Sequence, residues 1–228
     1  MIDNLKLKLI TLDGPVAVGK SSVGRLLARR LGFSFFDTGL MYRAFTWKVL
    51  RLNVCHDSEE ELSHLANITK FDFVPCQEGF LSVLLDGEDV SSKLFYPEIE
   101  EKVFVISKVA GVRQVMVSEQ RKLARQGRLV MAGRDIGTVV LPWAELKIFL
   151  TASVKERAER RYKELLGRKK KVDYSIVLAN LKERDENDSR RGISPLKPDD
   201  HAIIIDTDGL ALEQVVDKIC KLAEGLDD

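Results

Sequence analysis

Residues 14–21 read Gly-Pro-Val-Ala-Val-Gly-Lys-Ser and meet the pattern G-x-x-x-x-G-K-[ST] at every fixed position. Ahead of them the run from Leu5 to Asp13, alternating and then continuously apolar, predicts a buried first strand. Behind them Val23, Leu26, Leu27 and Leu31 recur at helical spacing, with Arg25, Arg29 and Arg30 mostly off that stripe. Strand, Gly-rich loop and helix in this order form a phosphate cradle. Gly14 and Gly19 let backbone N–H groups converge, and the opening helix adds the positive end of its dipole. The loop of Gly14, Pro15, Val16, Ala17, Val18, Gly19, Lys20, Ser21 and Ser22 is therefore expected to hold a nucleoside triphosphate. Lys20 would reach the β- and γ-phosphates, and the Ser21 hydroxyl would ligate Mg²⁺.

A chain of 228 residues is long enough for one α/β domain carrying an insertion. With 36 Lys and Arg against 35 Asp and Glu, no broad electrostatic attraction to nucleic acid is expected, although a local arginine cluster around a small anion is compatible with that balance. Cys55, Cys76 and Cys220 lack C-x-x-C spacing and cannot all pair within the chain, which predicts reduced thiols and a cytoplasmic protein. His56, His64 and His201 show no metal-ligand spacing. No signal-like N-terminal core is evident, and no apolar run approaches the ~18 residues of a membrane span.

Further along, Phe33 to Asp37 reads as a second strand opening into Asp37-Thr38-Gly39, followed by a helix bearing Met41, Tyr42 and Arg43 near its start. Residues 58–96 have a different texture, with two strand-like runs, Pro75, Gly79 and an Asp86-Gly87 turn, and are expected to form a small inserted, partly antiparallel subdomain. A helical stretch from Pro97 to Arg125 is expected to break at Gly111. Strands at 129–132, 146–150 and 202–206 alternate with helices at 151–166, from 174 onward, and at 210–222. This alternation predicts an α/β fold whose parallel sheet is covered on both faces.

A second phosphate calls for bidentate donors, which favours arginine over lysine. Three arginine-bearing motifs stand at strand ends or on helix faces: Thr38 with Arg43, Arg134 with Asp135, and Arg184 with Asp188 and Arg191. The last three fall at i, i+4 and i+7, on one stripe of a helix. Arg placed before Asp is the weaker order for an intrahelical pair, which tilts the reading toward a ligand. Arg157, Arg160 and Arg161 form a similar cluster that spacing alone fits equally to a solvated helix face. The basic run Gly167 to Lys171 reads as a solvated loop.

Four segments together resemble the bacterial cytidylate kinase family: Gly14 to Ser21, Asp37-Thr-Gly-Leu-Met-Tyr-Arg43, Gly133-Arg-Asp-Ile-Gly-Thr-Val-Val140, and Lys182 to Asp188 with Arg191. The resemblance runs from the first strand to the last helix and includes Leu85 to Ser91. It implies a nucleoside monophosphate kinase fold with a core, an inserted NMP-binding part and a lid near residues 157–172. It also implies transfer of the ATP γ-phosphate to CMP or dCMP with Mg²⁺, by a monomer needing neither nucleic acid nor membrane. Carried over by motif, Thr38, Arg43 and Arg134 hold the acceptor phosphate, and Ser107, Arg113 and Asp135 read cytosine. Arg184, Asp188 and Arg191 serve the sugar and phosphates, and Arg157 and Arg161 are lid arginines. Lys20, Arg134, Arg157, Arg161 and Arg184 then supply the positive charge at the transfer. In one departure, Ala132 precedes Gly-Arg-Asp where many relatives carry Asp.

Two other readings share the first motif. One keeps the kinase chemistry with UMP, another nucleotide or an alcohol as acceptor. The other is a GTP-binding switch, suggested by Thr69-Lys-Phe-Asp72 (T-K-x-D) and Asp206-Thr-Asp-Gly209 (D-x-x-G), but these stand in the reverse of the order a switch protein uses.

Overall fold

The computed structural model describes residues 7–76, 79–167, 172–189 and 195–226. Five strands, β1 (Leu9–Asp13), β2 (Ser34–Asp37), β6 (Leu129–Ala132), β7 (Leu146–Thr151) and β8 (Ile203–Asp206), form a parallel sheet in the order β2-β6-β1-β7-β8. Strands β1, β2 and β6 feed two cores, because successive side chains leave opposite faces, whereas β7 and β8 contribute to one. Ile10, Leu12, Phe35, Val130 and Ala132 go to one side. There they meet Val23, Leu27 and Leu31 of α1 (Lys20–Leu31) and Val216 and Ile219 of α8 (Leu212–Glu224). Leu9, Phe36, Leu129 and Met131 go to the other. That core is shared with α2 (Thr38–Arg51), α3 (Glu59–Ile68) and α5 (Ala110–Ala124). Asp13 follows Leu9 and Thr11 in this alternation, so its carboxylate lies on the second face at the C-terminal edge of the central strand.

Between α3 and α4 (Pro97–Ile106) stand β3 (Phe71–Pro75), β4 (Leu81–Leu85) and β5 (Glu88–Asp89), an antiparallel sheet in that order. Leu85 pairs with Glu88 across a two-residue turn whose members, Asp86 and Gly87, both have positive φ, the geometry that matches strand twist in a tight hairpin. The long helical stretch breaks at 107–109, before Gly111 rather than at it. Gly111 lies in the first turn of α5, where any side chain would collide with Ser63 of α3, so its bareness serves helix packing and not a bend. The segment expected to be helical from Thr151 keeps Thr151 in β7 and begins as α6 (Val154–Gly167), with the Ser153 hydroxyl accepting from the Glu156 N–H at 3.2 Å. Helix α7 (Tyr174–Ser189) packs beside α6 through Ala158, Leu165, Val177 and Leu181.

Candidate active site

Chain direction places the working residues. All five core strands run parallel, so the loops after β1, β2, β6 and β8 emerge at one edge, where open α/β sheets bind ligands. The first is the Gly-rich loop. Gly14 takes φ 147°, and a Cβ there would run into the Leu150 carbonyl, so the turn needs glycine. Gly19, at φ 101°, opens α1. Lys20 is folded back on the loop, its ammonium donating to the Gly14 and Pro15 carbonyls at 2.7 Å each. Enclosure of that ammonium lowers its pKa to about 7, with Arg134 repelling it further while Asp37 and Asp13 act in the opposite sense. The Ser21 hydroxyl donates to Asp37 Oδ2 at 2.6 Å, and Asp37 Oδ1 caps α2 by accepting from the Gly39 N–H at 2.9 Å.

A cavity of about 710 Å³ opens over this loop. Val16, Ala17, Gly19, Lys20, Ser21 and Ser22 line one side; Thr38, Arg43, Ser107, Arg113, Arg134, Asp135, Arg161 and Arg184 line the rest. Gly14, Pro15 and Val18 are buried on the loop's inner side. The Thr38 hydroxyl donates to the Ala132 carbonyl at 3.0 Å. Arg43 donates to the Leu94 carbonyl at 3.3 Å, packs over the Phe95 ring and lies 3.9 Å from Glu100. Arg113 forms a buried ion pair with Asp135 and donates to the Tyr42 hydroxyl at 3.3 Å. The Ser107 hydroxyl donates to the Phe104 carbonyl at 3.2 Å.

The α6–α7 pair closes the third side. Arg157 is only 4% exposed, so its cluster is not a solvated face. It makes a bidentate pair with Asp185 of α7 at 3.0 and 2.6 Å and donates to the Val16 carbonyl at 3.3 Å, tying both helices to the phosphate loop. Arg160 donates to the Val18 carbonyl at 3.3 Å and to the Thr207 carbonyl at 2.7 Å. Arg161 lines the cavity and pairs with Glu164 and Glu100 at 2.9 and 3.3 Å. Asp188, 1% exposed, pairs across to Arg134, which carries the acceptor-side arginine onto the end of α7. Arg191 and the basic run 168–171 lie outside the described residues. The Thr69–Asp72 segment belongs to the antiparallel sheet region, and the Thr69 hydroxyl donates to the Leu65 carbonyl at 2.6 Å; none of its residues lines the cavity over the phosphate loop.

Asp13 is 5% exposed, and its two carboxylate oxygens accept from the Ile136 and Gly137 N–H groups at 2.8 and 2.7 Å. Burial outweighs those bonds and raises its pKa from 3.8 to about 6, with Asp135 adding repulsion and Lys20 opposing it. A raised carboxylate pKa stabilises the fold below the unfolded value and loses that contribution as pH rises through the folded one. Wild type should therefore gain about 2 kcal/mol over Asp13→Asn between pH 7.5 and pH 4.5, read as the difference between their denaturant unfolding free energies. A difference that stays flat with pH contradicts this.

Comparison with known proteins bears on the same residues. The sequence profile described as cytidylate kinase matches residues 10–225. The chain belongs to the cytidylate kinase family. A cytidylate kinase from Caldanaerobacter subterraneus subsp. tengcongensis is 49% identical over 216 residues, 95% of this chain and 94% of that protein. One from Desulforamulus reducens is 43% identical over 217 residues, 95% and 97% of the two chains. The solved structure of an uncharacterized protein from Eubacterium ventriosum superposes with a TM-score of 0.53 at 14% identity, over 96% of this chain and 99% of that one, a likeness of fold. Family membership makes the chain an ATP-dependent phosphotransferase and sets aside the GTP-switch reading. It was legible from the loop, the Asp37–Arg43 motif and the Gly133–Val140 motif. Asp13, Glu100 and Asp185 were not singled out, because an isolated acid in a strand or helix carries no local signal; the pairing of β1 with β6 brings Asp13 to its partners, the approach of α4 to α6 brings Glu100 to Arg161, and the packing of α6 with α7 brings Asp185 to Arg157.

Proposed function

We propose that this member of the cytidylate kinase family transfers the γ-phosphoryl group of ATP to CMP or dCMP, giving ADP and CDP or dCDP. The observation that carries the reading is one cavity lined by the triphosphate loop, by Thr38, Arg43 and Arg134, and by the buried Arg113–Asp135 pair. A nucleoside monophosphate suits such a cavity, its base at one end and its phosphate facing the γ-phosphate. The acceptor phosphate is already anionic at neutral pH, with a second pKa near ~6, so the chain needs to supply position and positive charge rather than a strong base. Lys20 swings from the Gly14 and Pro15 carbonyls to the β- and γ-phosphates, and the burial cost on its charge is relieved by the triphosphate. Arg43, Arg134 and Thr38 orient the attacking phosphate; Arg184 and Arg161 face the same space, and Arg157 fixes the loop beneath it. Asp188 acts on the phosphates through Arg134, and Arg191 is assigned to the same group by motif.

Ser21 and Asp37 present hydroxyl and carboxylate oxygens side by side at the mouth of the loop, a hard donor set that suits Mg²⁺. Bound there, Mg²⁺ neutralises developing charge on the β- and γ-phosphate oxygens. Among the described residues no helix is long and apolar enough to cross a membrane. We assign the reaction to the cytoplasm, in keeping with the free thiols of Cys55, Cys76 and Cys220, and to a monomer.

Arg43→Ala tests the acceptor side. Loss of a charge-assisted bond, about 1.5–3 kcal/mol, predicts a fall of roughly 10- to 150-fold in kcat/KM for CMP with ATP affinity almost unchanged. Arg134→Ala should show the same loss and also a lower Tm, because it removes a charged partner of the buried Asp188 carboxylate. Steady-state kinetics with ATP binding measured separately checks both. Collapse of ATP affinity in Arg43→Ala moves that arginine to the donor site and overturns the assignment.

A further inference from the structure

We infer that Asp13 is a positioning residue that locks the phosphate loop to the acceptor-reading turn, so that donor and acceptor sites keep one fixed register. The inference rests on the function proposed above and adds a residue that neither site contains.

Asp13 is the last residue of the central strand and is bonded covalently to Gly14, the first residue of the phosphate loop. Its carboxylate spans to a different strand's exit, one oxygen to the Ile136 N–H and the other to the Gly137 N–H. Those two groups open a single wide turn, Ile136–Val140, closed by i→i+5 bonds such as Leu141 N–H to the Ile136 carbonyl at 2.7 Å. The turn directly follows Arg134 and Asp135. Its other end is held too: Arg121 donates to the Val139 and Val140 carbonyls at 2.8 and 2.9 Å. A carboxylate at the N-terminal end and a guanidinium at the C-terminal end satisfy the groups that so short a turn leaves open, each sign matching the turn's dipole.

The close approach is built in. A Cβ on Gly137 would sit 3.0 Å from Thr11 Oγ1, 3.3 Å from Asp13 Oδ2 and 3.4 Å from Lys147 Cδ, so only glycine lets the turn settle fully onto the carboxylate. Side-chain bonds of this kind fix a backbone more tightly than apolar contact, because both donors would otherwise be buried and unpaired. In-line phosphoryl transfer is sensitive to such placement, and a displacement of about 1 Å remote from the reacting atoms can cost roughly 10²-fold. Among the described residues, the Asp13 carboxylate is the side chain that bonds the acceptor turn while sitting next to the donor loop in the chain.

The test compares wild type with Asp13→Asn and Gly137→Ala, measuring kcat/KM for CMP and for UMP, ATP binding by equilibrium titration, and Tm. In Asp13→Asn the amide oxygen can accept from only one of the two N–H groups, and the new NH₂ is set against the other. Gly137→Ala lifts the turn off an intact carboxylate. Either change should lower kcat/KM for CMP by about tenfold to a hundredfold and narrow the CMP to UMP ratio, while ATP affinity stays within about twofold of wild type. A role in stability alone would lower Tm and scale both acceptors equally, leaving the ratio intact. An unchanged ratio in a folded Asp13→Asn protein overturns the inference and leaves the proposed function standing. Should Asp13→Asn fail to fold, the ratio measured in Gly137→Ala decides the same point in the same way. A wild type that does not prefer CMP overturns the function itself, and this inference with it.

Discussion

Lys20→Ala should lower kcat by at least ~10²–10³-fold, the cost of deleting a preorganised charge at the transferring group, with little change in Tm. The Lys20 ammonium is enclosed by the loop, and burial together with Arg134 pushes its pKa down to about 7, so its charge is held at a cost. Its two partners are backbone carbonyls of the loop, those of Gly14 and Pro15, and not members of the core. Alanine therefore forfeits two local bonds and relieves an unfavourable charge, and the two effects largely offset. Activity and stability should separate cleanly. Near-normal turnover in a variant with an unchanged melting curve would remove the phosphate-loop assignment.

The second large effect concerns how the base is told apart. Cytosine offers an N4 amino donor beside an N3 acceptor, whereas uracil presents O4 and N3–H at the same edge. In the proposed reading the Asp135 carboxylate accepts from N4 and Arg113 donates toward N3 or O2. Uracil sets O4 against the carboxylate and N3–H against the guanidinium, acceptor against acceptor and donor against donor. A site of this kind can discriminate by as much as ~10⁴-fold. The pair is formed and buried, with the Tyr42 hydroxyl bracing the guanidinium, which suits it to the preorganised reading proposed. Preorganisation has a cost for mutagenesis. Removing one member of a buried ion pair typically destabilises by about 3–5 kcal/mol, so Asp135→Ala loses stability along with activity. Asp135→Asn is the sharper probe: it keeps the shape, removes the charge, and offers an amide donor where uracil presents O4. Its ratio of CMP to UMP kcat/KM should fall by at least ~10²-fold, chiefly through loss of CMP, and Arg113→Ala should narrow the same ratio. Proportional losses on both acceptors would reduce the pair to a structural role.

The donor half of the site is legible in the sequence because it is local. A strand, six loop residues and a helix carry most of its geometry, and glycine at positions 14 and 19 marks the backbone angles directly. The acceptor half is legible only as motifs, since Thr38, Arg113 and Asp135 come from separate elements and meet through sheet order. Spacing placed Arg184, Asp188 and Arg191 on one stripe, but the stripe does not say what Asp188 faces; the crossing of α7 over the strand-end loop joins it to Arg134. Arg157 was the reverse case, an arginine whose helix face looked as suited to water as to a ligand until the packing of α7 set Asp185 against it. Gly111 misled in a third way. A glycine in a helix reads as a break, yet here it is the contact point between α3 and α5, and the chain bends instead at Ser107–Val109, where nothing in the sequence advertises it. Asp13 shows the general limit. Its chemistry depends on residues 123 and 124 positions away, a distance no local pattern spans.

Whether one cavity joins an ATP site to a cytosine-reading phosphate acceptor site is decided by the rate of ADP formation by the purified protein with Mg²⁺ and ATP, taken separately with CMP, dCMP, UMP and AMP as acceptor. ADP should form with CMP and dCMP, in step with CDP and dCDP, and kcat/KM for UMP and AMP should be lower by at least ~10²-fold. UMP or AMP used as well as CMP, or ADP released at the same rate with no acceptor present, would contradict the account.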